Sequence, residues 1–267
     1  METNRIDARQ LIYDLFSRRP DDEFDLQILE RAGRPFGITE GAFRTALARL
    51  RRDGRVENLR RGHYRITALP AALSQRIAEW RDVVDRRRPW TGRWVVATSN
   101  PAARADRTSW RGSLRAFSLE GMRQVDADMF VRPDNLNGGA EGSRTRLRQL
   151  GVPATILIAR LDQLEPATVL HWTSSWRTKA LEAVHQRTVE RLEASMKRLA
   201  TRTDGKAAAE ALLLGREAVR RILEDPLLPA EWQSGEALAK LIETMSRYDS
   251  FGKAIWDRYL NRAPPKA

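Results

Sequence analysis

Residues 38–67, ITEGAFRTALARLRRDGRVENLRRGHYRIT, decide the fold of the N-terminal part of the chain. The first half repeats apolar residues at spacings of three and four, which is typical of a helix with one buried face. These residues are Phe43, Ala46, Leu47 and Leu50. Gly54 follows where a helix would stop, and the second half has strand-like runs at 55–59 and 64–67 around a turn at 60–63. A helix followed directly by a two-stranded hairpin predicts a winged helix.

The predicted helix carries arginines and small residues on the side opposite its apolar face. Small residues let the backbone approach the floor of a DNA groove, and the forked donors of arginine suit guanine edges or phosphates. We therefore predict that Arg44, Thr45 and Arg49 contact base edges. The predicted phosphate contacts are Arg52, Arg60 and Arg61.

The charge of residues 38–67 supports a DNA-binding interpretation over a purely structural one. The segment holds eight arginines and three acidic residues. A solvated amphipathic helix and hairpin would explain the same charges, because charge runs are usually solvated faces. The excess is concentrated on the elements that could dock, which favours a nucleic-acid partner.

Patterning outside this segment predicts an α+β fold. Residues 6–16 and 24–32 have helical periodicity, and a connector that is helical at 71–86 ends at Pro89. Strand patterns follow at 94–98, 129–132 and 154–159, with helices at 112–122 and up to Leu150, and only helices after 174. We predict a winged helix-turn-helix domain at 1–70, a helical linker at 71–89, a ferredoxin-like α/β sandwich at 90–172 and an all-helical C-terminal domain at 173–267.

Composition favours a cytoplasmic protein that binds a polyanion. The formal net charge is +12 and the sequence pI is about 10.8, which raises the local concentration of nucleic acid or phosphorylated ligands. No apolar run approaches the roughly 20 residues of a membrane span. METNRIDARQ lacks the apolar segment of a signal peptide and cysteine is absent, so we expect a reducing compartment and no membrane partner.

Few residues could support enzymatic chemistry. The chain has three histidines, no cysteine, and no HExxH, GxSxG or GxxxxGK[ST] motif, so we predict no catalytic or metal-binding residues and no enzyme. One alternative is a metal-dependent nuclease in which Asp126 and Asp128 share a magnesium ion, since alternate residues of a strand point the same way. The other is a nucleic-acid-binding scaffold without sequence specificity.

Three motifs resemble the PaaX family of bacterial transcriptional repressors. They are RPFGITEGAFRTALARLRRDGRVENLRRGHYRIT at 34–67, WRGSLRAFSLEGM with MFVRPDNL at 110–136, and GREAVRRILEDPLLPAEWQSGEALAKL at 215–241. The resemblance covers most of the chain. It implies a winged-helix reader, a ferredoxin-like middle domain and a helical C-terminal domain, acting as a homodimer that an aryl-CoA thioester releases from DNA.

An effector of that kind needs a stacking surface and phosphate-binding cations. Trp110, Arg111 and Arg115 could supply both, although an arginine-bearing helix face exposed to solvent explains the same residues. We expect a transcriptional regulator, most simply a repressor, that binds a two-fold symmetric double-stranded operator as a homodimer and responds to a small molecule, with no resident cofactor. Repression and activation are both left open by the sequence.

Overall fold

The computed structural model describes residues 6–16, 23–67, 79–99 and 104–261, and divides them into two compact units. The first unit comprises the described residues up to 67 together with 194–215 and 247–261. The second comprises the described residues between 79 and 193 together with 216–246. This partition differs from the predicted domain bounds, because residues of the predicted C-terminal domain belong to both units.

The first unit begins with three helices and a three-stranded antiparallel sheet. Its elements are α1 (Ala8–Phe16), β1 (Phe24–Asp25), α2 (Leu26–Gly33), a 3₁₀ turn (Arg34–Phe36), α3 (Glu40–Arg52), β2 (Val56–Arg60) and β3 (His63–Ile66). The strand order is β1-β3-β2. The helix predicted at 24–32 is shorter than expected, because Phe24 pairs with Tyr64 and the Asp25 carboxylate accepts a hydrogen bond from Ile28 N at 2.7 Å as the N-cap of α2.

The helix predicted from the 38–67 pattern is present, and its apolar face is buried as expected. Phe43, Ala46, Leu47 and Leu50 all lie in the core of the first unit. Thr39 caps the start of α3 by accepting a hydrogen bond from Ala42 N at 3.3 Å. A Cβ on Gly33 would lie 2.4 Å from the Phe43 ring, so only glycine permits this approach of α2 to α3.

The second unit contains a four-stranded sheet in which every neighbouring pair is antiparallel. Its elements are a 3₁₀ segment (Glu79–Arg86), β4 (Trp94–Thr98), α4 (Arg107–Leu119), β5 (Arg123–Asp126), β6 (Met129–Pro133), α5 (Gly139–Gln149), β7 (Leu157–Leu161) and α6 (Pro166–Ser174). The strand order is β5-β6-β4-β7. The connector predicted at 71–86 falls outside the described residues up to 78, and its described end is 3₁₀ rather than α-helical.

Two of the three strands predicted in this region are confirmed, and the third is displaced. The strand predicted at 154–159 begins at Leu157, because Ile156 N bonds Pro153 O at 3.1 Å in a turn that delays it. Strand β5 was not predicted. Its sequence, RQVD, is exposed at three of four positions, so it lacks the alternation of apolar and polar residues on which strand prediction depends.

The sheet of the second unit is covered on both faces. On one face Val95 and Ala97 pack with Phe117 of α4 and Leu147 of α5. On the other face the core contains Trp94, Trp172 and Trp176, with Trp90 and Trp232 packed against it. The ring centroids of Trp94 and Trp172 are 5.2 Å apart at 82°, an edge-to-face geometry that aromatic pairs favour.

A buried carboxylate ties together several segments of the second unit. The fully buried side chain of Glu120 pairs with Arg146 at 2.7 Å and Arg86 at 3.3 Å, and accepts a hydrogen bond from Ser143 Oγ at 2.9 Å. Burial works to raise the pKa of Glu120, but the hydrogen bond from Arg146 and the neighbouring guanidinium charges bring it below its ordinary value. The charged pair therefore persists in the interior.

The remaining helices complete a helical C-terminal part. They are α7 (Thr178–Leu199), α8 (Gly205–Leu223) and α9 (Glu236–Asn261). Within the first unit, Leu199, Ala207 and Ile255 join the same core as α1 to α3. The Tyr259 hydroxyl donates to Arg31 O at 2.8 Å, which anchors the described end of the chain in that unit. Within the described ranges, no helix combines the length and apolarity of a membrane span.

Candidate nucleic-acid interface

The side of α3 opposite the core is exposed along the whole helix. Arg44, Thr45, Arg49 and Arg52 are all exposed, as the sequence predicted for residues that could meet a DNA groove. Gly41 and Ala48 are exposed between them, so the centre of this face is low and its edges carry long cationic side chains. This shape suits a helix that lies against a groove floor.

Arg44 and Thr45 already make contacts within α3. The Arg44 guanidinium pairs with the Glu40 carboxylate one turn earlier, and both side chains are substantially exposed, at 66% and 45%. The Thr45 hydroxyl donates to Gly41 O at 2.9 Å. A base contact by Arg44 must therefore compete with Glu40, whereas Thr45 keeps its methyl group and hydroxyl lone pairs for the partner.

The arginines near the end of α3 differ in how they are neutralised. Arg52 Nε lies 3.8 Å from Asp53 Oδ1, and the Arg52 side chain is 79% exposed. The side chains of Arg49 and Arg51 have no hydrogen bond or ion pair with other described residues, and both residues are exposed. Arg44 and Arg49 are the two arginines predicted to contact base edges. Of these, Arg49 can bind DNA without first breaking a side-chain contact within the protein.

The β2–β3 turn presents cations as the sequence indicated, but it is tighter. Residues 60–63 were predicted to form the turn, whereas the strands extend through Arg60 and from His63, which leaves only Arg61 and Gly62 between them. Gly62 has a φ of 80°, a conformation that glycine adopts without strain. Arg61 is exposed and has no charged partner among the described residues.

Sequence reasoning missed the acidic residue beside this turn. Glu23 Oε2 lies 3.5 Å from Arg60 Nη2 and 3.9 Å from His63 Nδ1, because the pairing of β1 with β3 brings residues 23–25 alongside the hairpin. The strand Phe24–Asp25 is two residues long, so no sequence pattern signals it. Arg61 therefore differs from Arg60 in carrying an uncompensated charge.

The three residues proposed for an effector differ in exposure. Trp110 is partly buried against the core, with its ring centroid 6.1 Å from that of Phe130. The guanidinium over the Trp110 ring is that of Arg104, at 5.5 Å. Arg111 and Arg115 are exposed on α4. Contacts with Arg104 and Phe130 therefore already occupy part of the Trp110 ring.

Asp126 and Asp128 do not occupy alternate positions of one strand. Asp126 ends β5 and its carboxylate accepts a hydrogen bond from Ala127 N at 2.6 Å, while Asp128 lies in the following turn. The Asp128 carboxylate pairs with Arg104. Across the described ranges, no three His, Cys, Asp or Glu side chains are grouped as a metal ion would require. The nuclease alternative assumed that Asp126 and Asp128 alternate on one strand, and this assumption is wrong.

Comparisons with known proteins give a relative by fold. No family model matches the chain, and no curated protein matches it. A solved structure titled "Uncharacterized protein Rv0674 from Mycobacterium tuberculosis" is similar to it, with 22% sequence identity over 95% of this chain and 97% of that one and a TM-score of 0.59. The likeness concerns the fold over nearly the full length of both chains.

Proposed function

We propose that this protein is a DNA-binding transcriptional regulator. The observation that carries the proposal is the pairing, in one compact unit, of an arginine-bearing exposed side of α3 with a hairpin whose tip is Arg61. In this reading α3 lies in a major groove and the β2–β3 turn contacts the backbone of the same duplex. The chain has more basic than acidic residues, and this positive charge attracts DNA over long range.

The topology of both units supports assigning them to known folds. In the first unit, the succession α1, β1, α2, α3, β2, β3 with strand order β1-β3-β2 is the one expected of a winged helix-turn-helix domain. In the second, the succession β4, α4, β5, β6, α5, β7 with order β5-β6-β4-β7 is the one expected of a ferredoxin-like sandwich. The resemblance of three sequence motifs to the PaaX family is consistent with both assignments.

The proposal extends to repression by a homodimer, which a small acyl-CoA-type molecule releases from DNA. That part is supported by the PaaX resemblance. Release would require the ligand to bind one dimer geometry more tightly than the other, because only differential affinity shifts such an equilibrium.

The test compares Arg49→Ala with Arg61→Ala in fluorescence-anisotropy titrations. The DNA is the intergenic sequence upstream of the gene, with a shuffled duplex of equal length as its counterpart. We expect the unchanged protein to prefer the native duplex by on the order of a thousandfold. Arg49→Ala should cost about 1–3 kcal/mol on the native duplex and relax preference at one base pair. Arg61→Ala should weaken both duplexes equally and lower the salt slope by about 1.

Arg187→Ala is the matched control, because Arg187 is exposed on α7 in the second unit, outside the proposed interface. It should bind both duplexes as the unchanged protein does. If the unchanged protein binds both duplexes equally and in a salt-sensitive way, the proposed regulator is rejected. The protein would then be a scaffold that binds any nucleic acid.

A further inference from the structure

Helix α4 of the second unit carries a row of three arginines, Arg107, Arg111 and Arg115. They are spaced four residues apart, so they lie along one side of the helix with each about 6 Å from the next. All three are exposed. None of their guanidinium groups has an ion pair or hydrogen bond with another residue in the part of the chain that the structure describes, so their charges are not neutralised internally.

The exposed surface of α4 contains no carboxylate. Its other exposed residues, all neutral, are Thr108, Gly112, Leu114 and Ser118. The nearest acids along the chain are occupied: Asp106 caps the helix by accepting hydrogen bonds from Thr108 N at 2.9 Å and Ser109 N at 3.2 Å, and Glu120 is buried with its arginines. Like charges held this close repel one another, which is unfavourable until an anion neutralises them.

The neighbouring helix α5 shows that arginine richness alone does not produce such a row. Arg144 donates to Ile158 O at 3.0 Å and pairs with Glu141, Arg146 pairs with Glu120, and Arg148 donates to Ile156 O at 2.7 Å. Every arginine of α5 therefore contributes to the structure of the second unit. Those of α4 do not.

We propose that the Arg107–Arg111–Arg115 row binds the phosphate backbone of double-stranded DNA. The proposal rests on the proposed function, because it gives the same partner a second contact on a different unit. A regular row of cations without acids suits a regular polyanion, and duplex DNA offers one negative charge per about 1.7 Å of its axis. Guanidinium groups bind phosphate through paired hydrogen bonds. The contact adds affinity without reading sequence.

Gly112 allows the charge of the row to be changed without removing an arginine. It lies between Arg111 and Arg115, it is exposed, and a Cβ there would meet nothing within 4 Å. Gly112→Glu places a carboxylate beside the row, three residues before Arg115, and Gly112→Gln has the same size without the charge. Both replace a helical glycine with a better helix former, so neither should impair folding.

The experiment measures affinity for a native and a shuffled duplex across a salt series. We expect Arg107→Gln/Arg111→Gln/Arg115→Gln to weaken both duplexes by the same factor and to lower the slope of log K against log salt by about 1 to 3. The charge-matched control replaces Arg160, Arg187 and Arg220, which are exposed on β7, α7 and α8 of the second unit, with glutamine. This control variant should keep a slope of log K against log salt within about 0.5 of that of the unchanged protein. Gly112→Glu should bind DNA more weakly than Gly112→Gln.

Three outcomes would overturn the proposal. The row plays no part if the α4 triple variant binds as the unchanged protein does, and net charge alone explains binding if both triple variants lose affinity equally. If coenzyme A binds the unchanged protein but not the α4 triple variant, while DNA affinity is unaffected, the row serves a small phosphorylated ligand. A different result is that the salt slope falls in the α4 triple variant while the unchanged protein shows no preference for the native duplex. This result would support phosphate binding by the row and reject the sequence-specific regulator.

Discussion

His185 and Asp225 form a buried pair of titratable residues in the second unit. His185 Nε2 lies 3.3 Å from Asp225 Oδ2, and neither side chain is more than 2% exposed. Burial, with the nearby charge of Arg221, lowers the pKa of His185 to about 4. Burial raises the pKa of Asp225 to about 6, although the Leu227 N–H and the charges of Arg87 and Arg132 oppose it.

The two shifts act on stability in opposite directions over the same pH range. His185 stays neutral when folded but takes up a proton below about 6.5 when unfolded, so it favours unfolding as pH falls from 6.5 towards 4. Asp225 keeps its proton up to about pH 6 when folded but loses it above 3.8 when unfolded, so it favours unfolding as pH rises from 3.8 to 6. In the unchanged protein the two contributions largely cancel.

Single substitutions should reveal each contribution. Relative to the unchanged protein, Asp225→Asn should gain up to about 3 kcal/mol of unfolding free energy as pH is raised from 4 to 6, because only the His185 contribution remains. His185→Gln should lose a similar amount over the same range. Urea denaturation at several pH values between 4 and 6.5 measures both, and two variant profiles parallel to that of the unchanged protein would show that neither residue titrates abnormally.

Among elements, the ends of α4 and α5 differ in what surrounds them. Gly121 follows α4 with a φ of 76°, and Gly151 follows α5 with a φ of 89°. Both backbones therefore disfavour any other residue. A Cβ on Gly121 would lie 2.7 Å from Pro226 Cα, whereas a Cβ on Gly151 would meet nothing within 4 Å.

Alanine at these two positions separates backbone strain from steric conflict. Gly151→Ala should lower the unfolding free energy by about 1–2 kcal/mol, the cost of a left-handed conformation. Gly121→Ala should cost about 1–3 kcal/mol more, because the backbone at Pro226 must also move. Urea titrations of the two variants at one pH measure the difference. Equal losses would mean that the approach of residue 226 to the end of α4 is not maintained in solution.

For the molecule as a whole, the proposed homodimer makes a prediction about DNA spacing. Two recognition helices related by two-fold symmetry should read half-sites whose centres are about 10 base pairs, or a multiple, apart. Inserting five base pairs between the half-sites should reduce affinity at least tenfold, because it places them on opposite faces of the duplex. Inserting ten should restore much of the affinity.

Anisotropy titrations on the three duplexes, with sedimentation of each complex to count the protein chains, test this prediction. The expected complex contains two chains on one operator. One chain per operator, with affinity independent of spacing, would rule out the dimeric reader while leaving the contacts of each unit with DNA intact.

The sequence by itself determined the elements whose evidence is local. The faces of α3 follow from residues three and four apart, so both the buried Phe43 and the exposed Arg49 could be predicted. Strand β4 was predicted with its observed bounds, because WVVAT is a short apolar run rich in strand-forming residues. The sequence also predicted a basic hairpin tip, because Arg61 and Gly62 lie between two strand-like runs. It did not predict that the turn is only two residues long.

Only the tertiary structure decided which distant residues meet. It brings Glu23 to Arg60, His185 to Asp225, and the carbonyl of Pro226 to within 3.3 Å of the buried Arg132. It also assigns parts of α7, α8 and α9 to both compact units, where the sequence suggested one helical domain. The physical reason is that periodicity records which side of an element is apolar, whereas the partner that covers this side is selected by packing across the whole chain.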